Sequence, residues 1–120
     1  MGEGNRVPLE GKHRIEQGIA YRRAFQLYDR DGLEIVLTGA SAKAQFRRSH
    51  ASPFVMLEAT TSNGKLTIDE TNGVVFVLLA GTDTEKLTSS GYYDCNVTLT
   101  TGEIIRAFQG PFDLDPRITR

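Results

Sequence analysis

Residues 21–48, YRRAFQLYDRDGLEIVLTGASAKAQFRR, decide how the chain is read. Tyr21, Phe25 and Leu27 fall on one face of an extended segment, with Arg22, Ala24 and Gln26 on the other. Successive side chains of a strand point to opposite faces, so this alternation predicts a half-buried antiparallel strand. Asp29, Arg30, Asp31 and Gly32 then turn the chain, Gly32 being able to take a positive φ that other residues resist. Leu37-Thr38-Gly39 makes a corner, and Ala42, Ala44 and Phe46 alternate with Lys43, Gln45 and Arg47 on a second strand. If these two strands pair, Arg22 and Arg47 come close together on a solvent face. Arg23 is out of place, because it shares the phase of Tyr21 and Phe25. It lies at the sheet margin, snorkels outward, or pairs with a carboxylate across a subunit interface.

Upstream, residues 1–13 are polar and glycine-containing without a period, which predicts a flexible N-terminal arm. Residues 14–120 then form one domain, with a short edge strand near residues 14–17. Downstream, residues 54–60 make the next strand, with Val55, Leu57 and Ala59 opposite Phe54, Met56 and Glu58. Leu66-Thr67-Ile68 is a short strand between the turns at Asn63-Gly64 and Asn72-Gly73. The run VVFVLLA at residues 74–80 is apolar throughout and suits a strand covered on both faces. Thr82 and Glu85 have capping-box spacing, predicting one helical turn near residues 82–88. Tyr93, Cys95, Val97 and Leu99 then alternate with Tyr92, Asp94, Asn96 and Thr98. Thr101-Gly102 makes a hairpin into residues 104–109, Gly110-Pro111 breaks that strand, and Phe112 and Leu114 open a last short one. Short strands at this spacing with one helical turn predict an all-β fold, an antiparallel immunoglobulin-like (Ig-like) β-sandwich. The tryptophan and the disulfide of antibody domains are missing.

Composition bounds the function. The chain has 39% hydrophobic and 24% charged residues and a net charge of −1, so it is globular and has no global field for nucleic acid or an anionic membrane. One cysteine permits no internal disulfide. No apolar run approaches the ~20 residues that span a bilayer, and residues 1–14 lack the apolar core of a secretory signal. Folding in the cytosol is expected.

Chemistry is thinly represented. Asp29, Asp31 and Gly32 resemble the start of a calcium loop, but Leu33, Ile35 and Leu37 stand where further oxygen ligands are needed. Neither His13 nor His50 sits at ligand spacing with Cys95, whose phase marks it as a small buried residue. No phosphate loop or nucleophile elbow is present. No catalytic residue, metal or cofactor is expected. Arg22, Arg23, Arg47, Arg48 and His50 form at most a basic edge, and nucleic acid is not an expected partner because aromatic interleaving is lacking.

The order of these pieces resembles a family of small tailed-phage virion proteins, related in pattern to the N-terminal domain of upper baseplate proteins. The pieces are Gln17-Gly18 with Tyr21, the Asp29–Gly32 turn, the Leu37-Thr38-Gly39 corner and the strand ending in Arg47. Leu66-Thr67-Ile68-Asp69, the turn after Thr82, the stretch from Gly91 to Asp94, and Ile118-Thr119-Arg120 complete the set. Val36 replaces an Asp before the corner and Ala40 an aromatic after it. The resemblance spans roughly residues 15–120. It implies a non-enzymatic structural protein of the virion, made in the bacterial host's cytoplasm. Such a protein would be a docking module of tail, baseplate or fibre attachment, or a decoration protein on the head. Other virion proteins are the implied partners, in a homo-oligomer or symmetric array. Edge strands, the arm and the C-terminal residues are the expected contacts, with Arg22, Arg23, Arg47, Arg48, Tyr92, Phe112 and Arg120 as interface candidates. A carbohydrate-binding sandwich using Tyr28, Tyr92 and Phe112 is the alternative from another class.

Overall fold

The computed structural model describes residues 13–29 and 31–116. Residues 1–12 of the expected arm, Arg30 in the acidic turn and the Ile118-Thr119-Arg120 ending lie outside the described residues. Among those described, the elements are β1 (His13–Glu16), β2 (Tyr21–Gln26), β3 (Ser41–Arg47), β4 (Val55–Thr60), β5 (Leu66–Asp69) and β6 (Val74–Leu79). A single turn of helix, α1 (Gly81–Thr84), precedes β7 (Gly91–Thr98) and β8 (Ile104–Asp115). A five-stranded sheet in the order β1-β8-β7-β3-β4 faces a three-stranded sheet in the order β2-β6-β5. The strand pairs are antiparallel except β1 with β8, which is parallel. The architecture is an Ig-like β-sandwich.

The two strands that open the sequence reading do not pair. β2 pairs β6 in one sheet, whereas β3 pairs β4 and β7 in the other, so Arg22 and Arg47 sit on opposite layers. The connection between them carries the chain across the sandwich. Leu27 N–H donates to the Gly73 carbonyl at 2.9 Å and Leu37 N–H to the Glu70 carbonyl at 2.8 Å, and both leucines are buried. The connection is therefore moored to the β5–β6 turn. Gly73 sits in this mooring at φ +70°, where a Cβ would strike the Ile35 carbonyl.

Two bulges break the alternation. The β3–β4 register shifts after Phe46, and Met56 and Leu57 both turn inward. The β7–β8 register shifts after Cys95, and Ala107 and Phe108 both turn inward. A bulge opposes two residues to one and lets neighbours share a face. β8 also runs through Pro111, contrary to the break expected there. Pairing with β1 starts only at Phe112, so Pro111 lies where β8 has β7 as its neighbour and the missing N–H is tolerated. The helical turn begins earlier than Thr82 predicts. Ala80 is the N-cap, and the Asp83 carboxylate accepts its N–H at 2.8 Å. Thr84, fully buried, clamps the β1–β2 turn by accepting from Gly18 N–H and donating to the Ile19 carbonyl.

The core is aromatic at its centre. Phe25 from β2 stacks on Phe108 from β8 with centroids 3.9 Å apart, and Phe108 meets Tyr93, which stacks on Phe46. Phe25→Leu and Phe108→Leu are each expected to cost about 1–2 kcal/mol in urea denaturation. The double variant should cost less than the sum, because each single change already removes the stack. Phe54→Ala, at a site 62% exposed, should stay within about 0.5 kcal/mol of the parent.

Candidate functional site

The interface candidates divide among three places. Arg22 and Arg23 lie on β2, both exposed. Arg47, Arg48 and Tyr92 gather at one end of the five-stranded sheet, where Arg47 stands opposite Tyr92 across β3 and β7. The Tyr92 ring meets His50 edge-on at 4.9 Å, and the Arg47 guanidinium donates to the Gln45 side chain while its buried Nε has no partner among the described residues. Gly91 lets β7 approach here, since a Cβ would collide with the Arg47 carbonyl. Phe112 is no surface residue. It is 1% exposed and packs edge-on against Phe46 and Tyr93, because inward phase resumes after the β8 bulge. This correction also leaves the carbohydrate reading with Tyr28 and Tyr92. Arg120 lies outside the described residues.

A different surface stands out on the three-stranded sheet. β6 buries Val75, Val77 and Leu79 inward, but Val74 and Phe76 are half-buried and Leu78 is 37% exposed on the outward face. The expectation that both faces of this run are covered is therefore met on one face within the described chain. Registered beside the apolar row are Ala24, Arg22 and Gln26 on β2, with Thr67 and Asp69 on β5. The result is an apolar centre with a polar frame.

The free edges of the two sheets differ. β4 is an edge strand, yet Asn63 folds back on it. Its side chain accepts from Thr60 N–H at 2.9 Å and donates to the Glu58 carbonyl at 3.2 Å, occupying edge groups that a stray strand would use. β2 is also an edge strand, and three successive residues on it, Arg22, Arg23 and Ala24, are exposed.

At that edge the inward side chains are polar. His13 on β1 and Tyr21 on β2 are 5% and 8% exposed, and among the described residues the His13 Nε2 has no hydrogen-bond partner. Such an orphan costs about 1–3 kcal/mol. The other imidazole nitrogen, Nδ1, is hydrogen-bonded to the Tyr93 hydroxyl. Arg23, in inward phase, escapes to the margin and stands with Cζ 5.8 Å from the Phe25 ring, while His13 stands 5.9 Å from the same ring. Burial pushes the Tyr21 phenol up, opposed by Arg23. Sequence reasoning missed His13 because it was assigned to the arm. The signal was the phase it shares with Ile15, opposite Arg14 and Glu16.

The remaining candidates have structural employment. Asp29 accepts from the N–H groups of Asp31 and Leu33, so its carboxylate holds the turn, and Gly32 takes φ +82°. Cys95 is fully buried, and burial, helped by Asp94, pushes its thiol up to about 12, which removes the thiolate at neutral pH. Burial disfavours the Asp83 carboxylate. The Ala80 N–H and Lys65, 3.1 Å away, outweigh that and hold it below its ordinary value.

No protein-family model and no curated protein matches the chain. Among solved structures, murine CRIg is similar at 13% identity, with 89% of this chain and 92% of that one covered and a TM-score of 0.42. Drosophila OTK extracellular domains 3-5 are similar at 13% identity over 87% of this chain, with a TM-score of 0.37. The chain spans 33% of the OTK structure.

His13 gives a pH dependence. Burial, with Arg23 adding to it, holds the imidazole below its ordinary value of 6.5. A histidine whose folded pKa is lowered stabilises the fold fully above its unfolded value, and that contribution is lost as pH falls below it. Asp83, lowered from 3.8, loses its contribution only in more acid solution. The thermal midpoint should therefore fall from pH 6.5 toward the carboxylate range, and His13→Gln should flatten that slope. An unchanged slope in the variant would count against this assignment.

Proposed function

We propose that the chain is a non-enzymatic structural protein of a tailed-phage virion, whose sandwich docks in several symmetry-related copies. The tail, baseplate or fibre-attachment apparatus is its place in this reading. Two things support it. The ordered motifs from Gln17-Gly18 to Asp94 resemble that class of virion protein. The observation that carries the docking role is the outward row Val74, Phe76 and Leu78 on the central strand of the three-stranded sheet. A sandwich that works alone gains by making that row polar, since the outer face of an antiparallel sheet ordinarily meets water.

Size decides how the face is used. Three strands about 4.8 Å apart and six residues at about 3.3 Å each give a patch of roughly 300 Å². A stable interface takes about 800 Å² from each partner. One such face holds a second copy weakly, and repetition in an array supplies what a single contact lacks. The second copy is the occupant proposed here, with Phe76 at the centre of the contact and Arg22 and Asp69 at opposite corners of the frame.

The full chain is expected to associate with rising concentration in light scattering. Phe76→Asp should abolish that association and move the thermal midpoint by no more than about 8 °C. A chain that stays monomeric at all concentrations, or association that survives Phe76→Asp, contradicts the role given to this face.

A further inference from the structure

We propose that the outer face of the three-stranded sheet meets a second copy across a two-fold axis through Phe76, with Arg22 of each copy facing Asp69 of the other. This rests on the self-docking function above and adds the orientation of the two copies and the charged pair that sets it.

The strand register places the two charges symmetrically about the apolar row. Arg22 stands beside Leu78 on one side of β6, and Asp69 stands beside Val74 on the other. Both share the outward phase of Phe76, which lies midway between Leu78 and Val74 on the strand between them. With strands about 4.8 Å apart and a rise of about 3.3 Å per residue, each charge lies about 8 Å from Phe76, in opposite directions. Phe76 is thus the midpoint of the line from Arg22 to Asp69. A two-fold axis in the plane of the face, crossing that line at right angles, lays Phe76 on Phe76 of the other copy. It also closes two Arg22–Asp69 pairs at once, as a self-complementary contact requires. Facing sheets lie about 10 Å apart, a gap that these two side chains close by reaching toward each other.

Other ways of laying the faces together match the charges less well. An axis along the strands sets Arg22 over Lys65, which is level with it because Leu78 N–H donates to the Lys65 carbonyl. An axis across the strands sets Arg22 over Gln26 and leaves Asp69 to Lys65, whose ammonium is already held 3.1 Å from Asp83. The skewed axis gives each charge a free opposite one, and complementary charges across a contact fix its register. The strands of the two copies then cross at about 70°, near the orthogonal class of sheet packing. Both charges are available for this. Arg22 is exposed and enters no salt bridge among the described residues. Hydrogen bonds from Asn72 hold the Asp69 carboxylate below its ordinary value, so it is ionised at neutral pH. They leave lone pairs on both oxygens for a guanidinium.

Sedimentation of the full chain over a concentration series, with charge reversals, tests this. Arg22→Glu alone and Asp69→Lys alone should each weaken self-association at least about tenfold, because each sets like charges together twice. The chain carrying both reversals should regain it. The sharpest measurement mixes the two single variants: isotope-labelled Arg22→Glu chain is observed by NMR while unlabelled Asp69→Lys chain is added. In that mixture both pairs are opposite in sign, so two chains that fail to self-associate should bind each other, with shifts centred on Phe76. Asp69 also holds Asn72, so the thermal midpoint is measured for every variant. Should Asp69→Lys unfold the chain, Arg22→Glu combined with Asp69→Asn replaces it and should associate more tightly than Arg22→Glu alone. Single reversals without effect, or a mixture of folded variants that stays inert, overturn the proposal. Association that is lost in Phe76→Asp yet indifferent to the reversals overturns this orientation and leaves the docking face standing. A parent chain that never associates overturns both.

Discussion

The stack of Phe25 on Phe108 joins two sheets that no disulfide crosslinks. β2 supplies one ring and β8 the other, and from Phe108 the contacts continue through Tyr93 to Phe46 and Phe112. An inter-sheet disulfide contributes about 2–4 kcal/mol. An aromatic pair adds about 0.5–1.5 kcal/mol beyond the burial of its area. A handful of such pairs thus reaches the scale of the missing crosslink, with no call on an oxidising compartment. Cys95 completes the layer as an apolar filler whose thiol burial keeps protonated.

This cluster also fixes β1 at the margin of the sheet where docking is proposed. His13 enters the sandwich against Phe25 and Tyr93, and the clamp of Thr84 on Gly18 and Ile19 holds the β1–β2 turn beneath it. β1 is four residues long and could not keep its place by backbone pairing alone. Its hold on β8, the Arg14–Asp115 ion pair at 2.8 Å and the His13 ring act together. The ion pair is exposed and contributes little by itself. The fully buried Ile15 and the His13 ring tie the strand to the core.

Period-two alternation in β2, β3 and β7 was plain in the sequence, and the acidic turn and the Thr101-Gly102 hairpin followed from turn chemistry. Alternation reports the face a residue points to and is silent on which strand lies alongside. For that reason the pairing of β2 with β3 stays open in the sequence, and the two strands belong to different layers. The bulges at Met56 and Ala107 were hidden for a related reason: a bulge is a property of two strands together, and Phe112 was misjudged with it. The unbroken apolar run at residues 74–80 signalled two covered faces, and the described chain covers one. His13 and Tyr93 are 80 positions apart, and no local pattern joins them.

The two sheets treat their edges differently, and that contrast separates this account from one in which any exposed strand serves. Asn63 closes the β4 edge, while β2 and the row of Val74, Phe76 and Leu78 stay open. Amide hydrogen exchange of the full chain at low and high protein concentration tests this most directly. The account predicts slowed exchange along β2 and β6 as copies associate, with β4 unchanged. Protection that appears at Glu58 to Thr60 of β4 instead, or none anywhere, would contradict it.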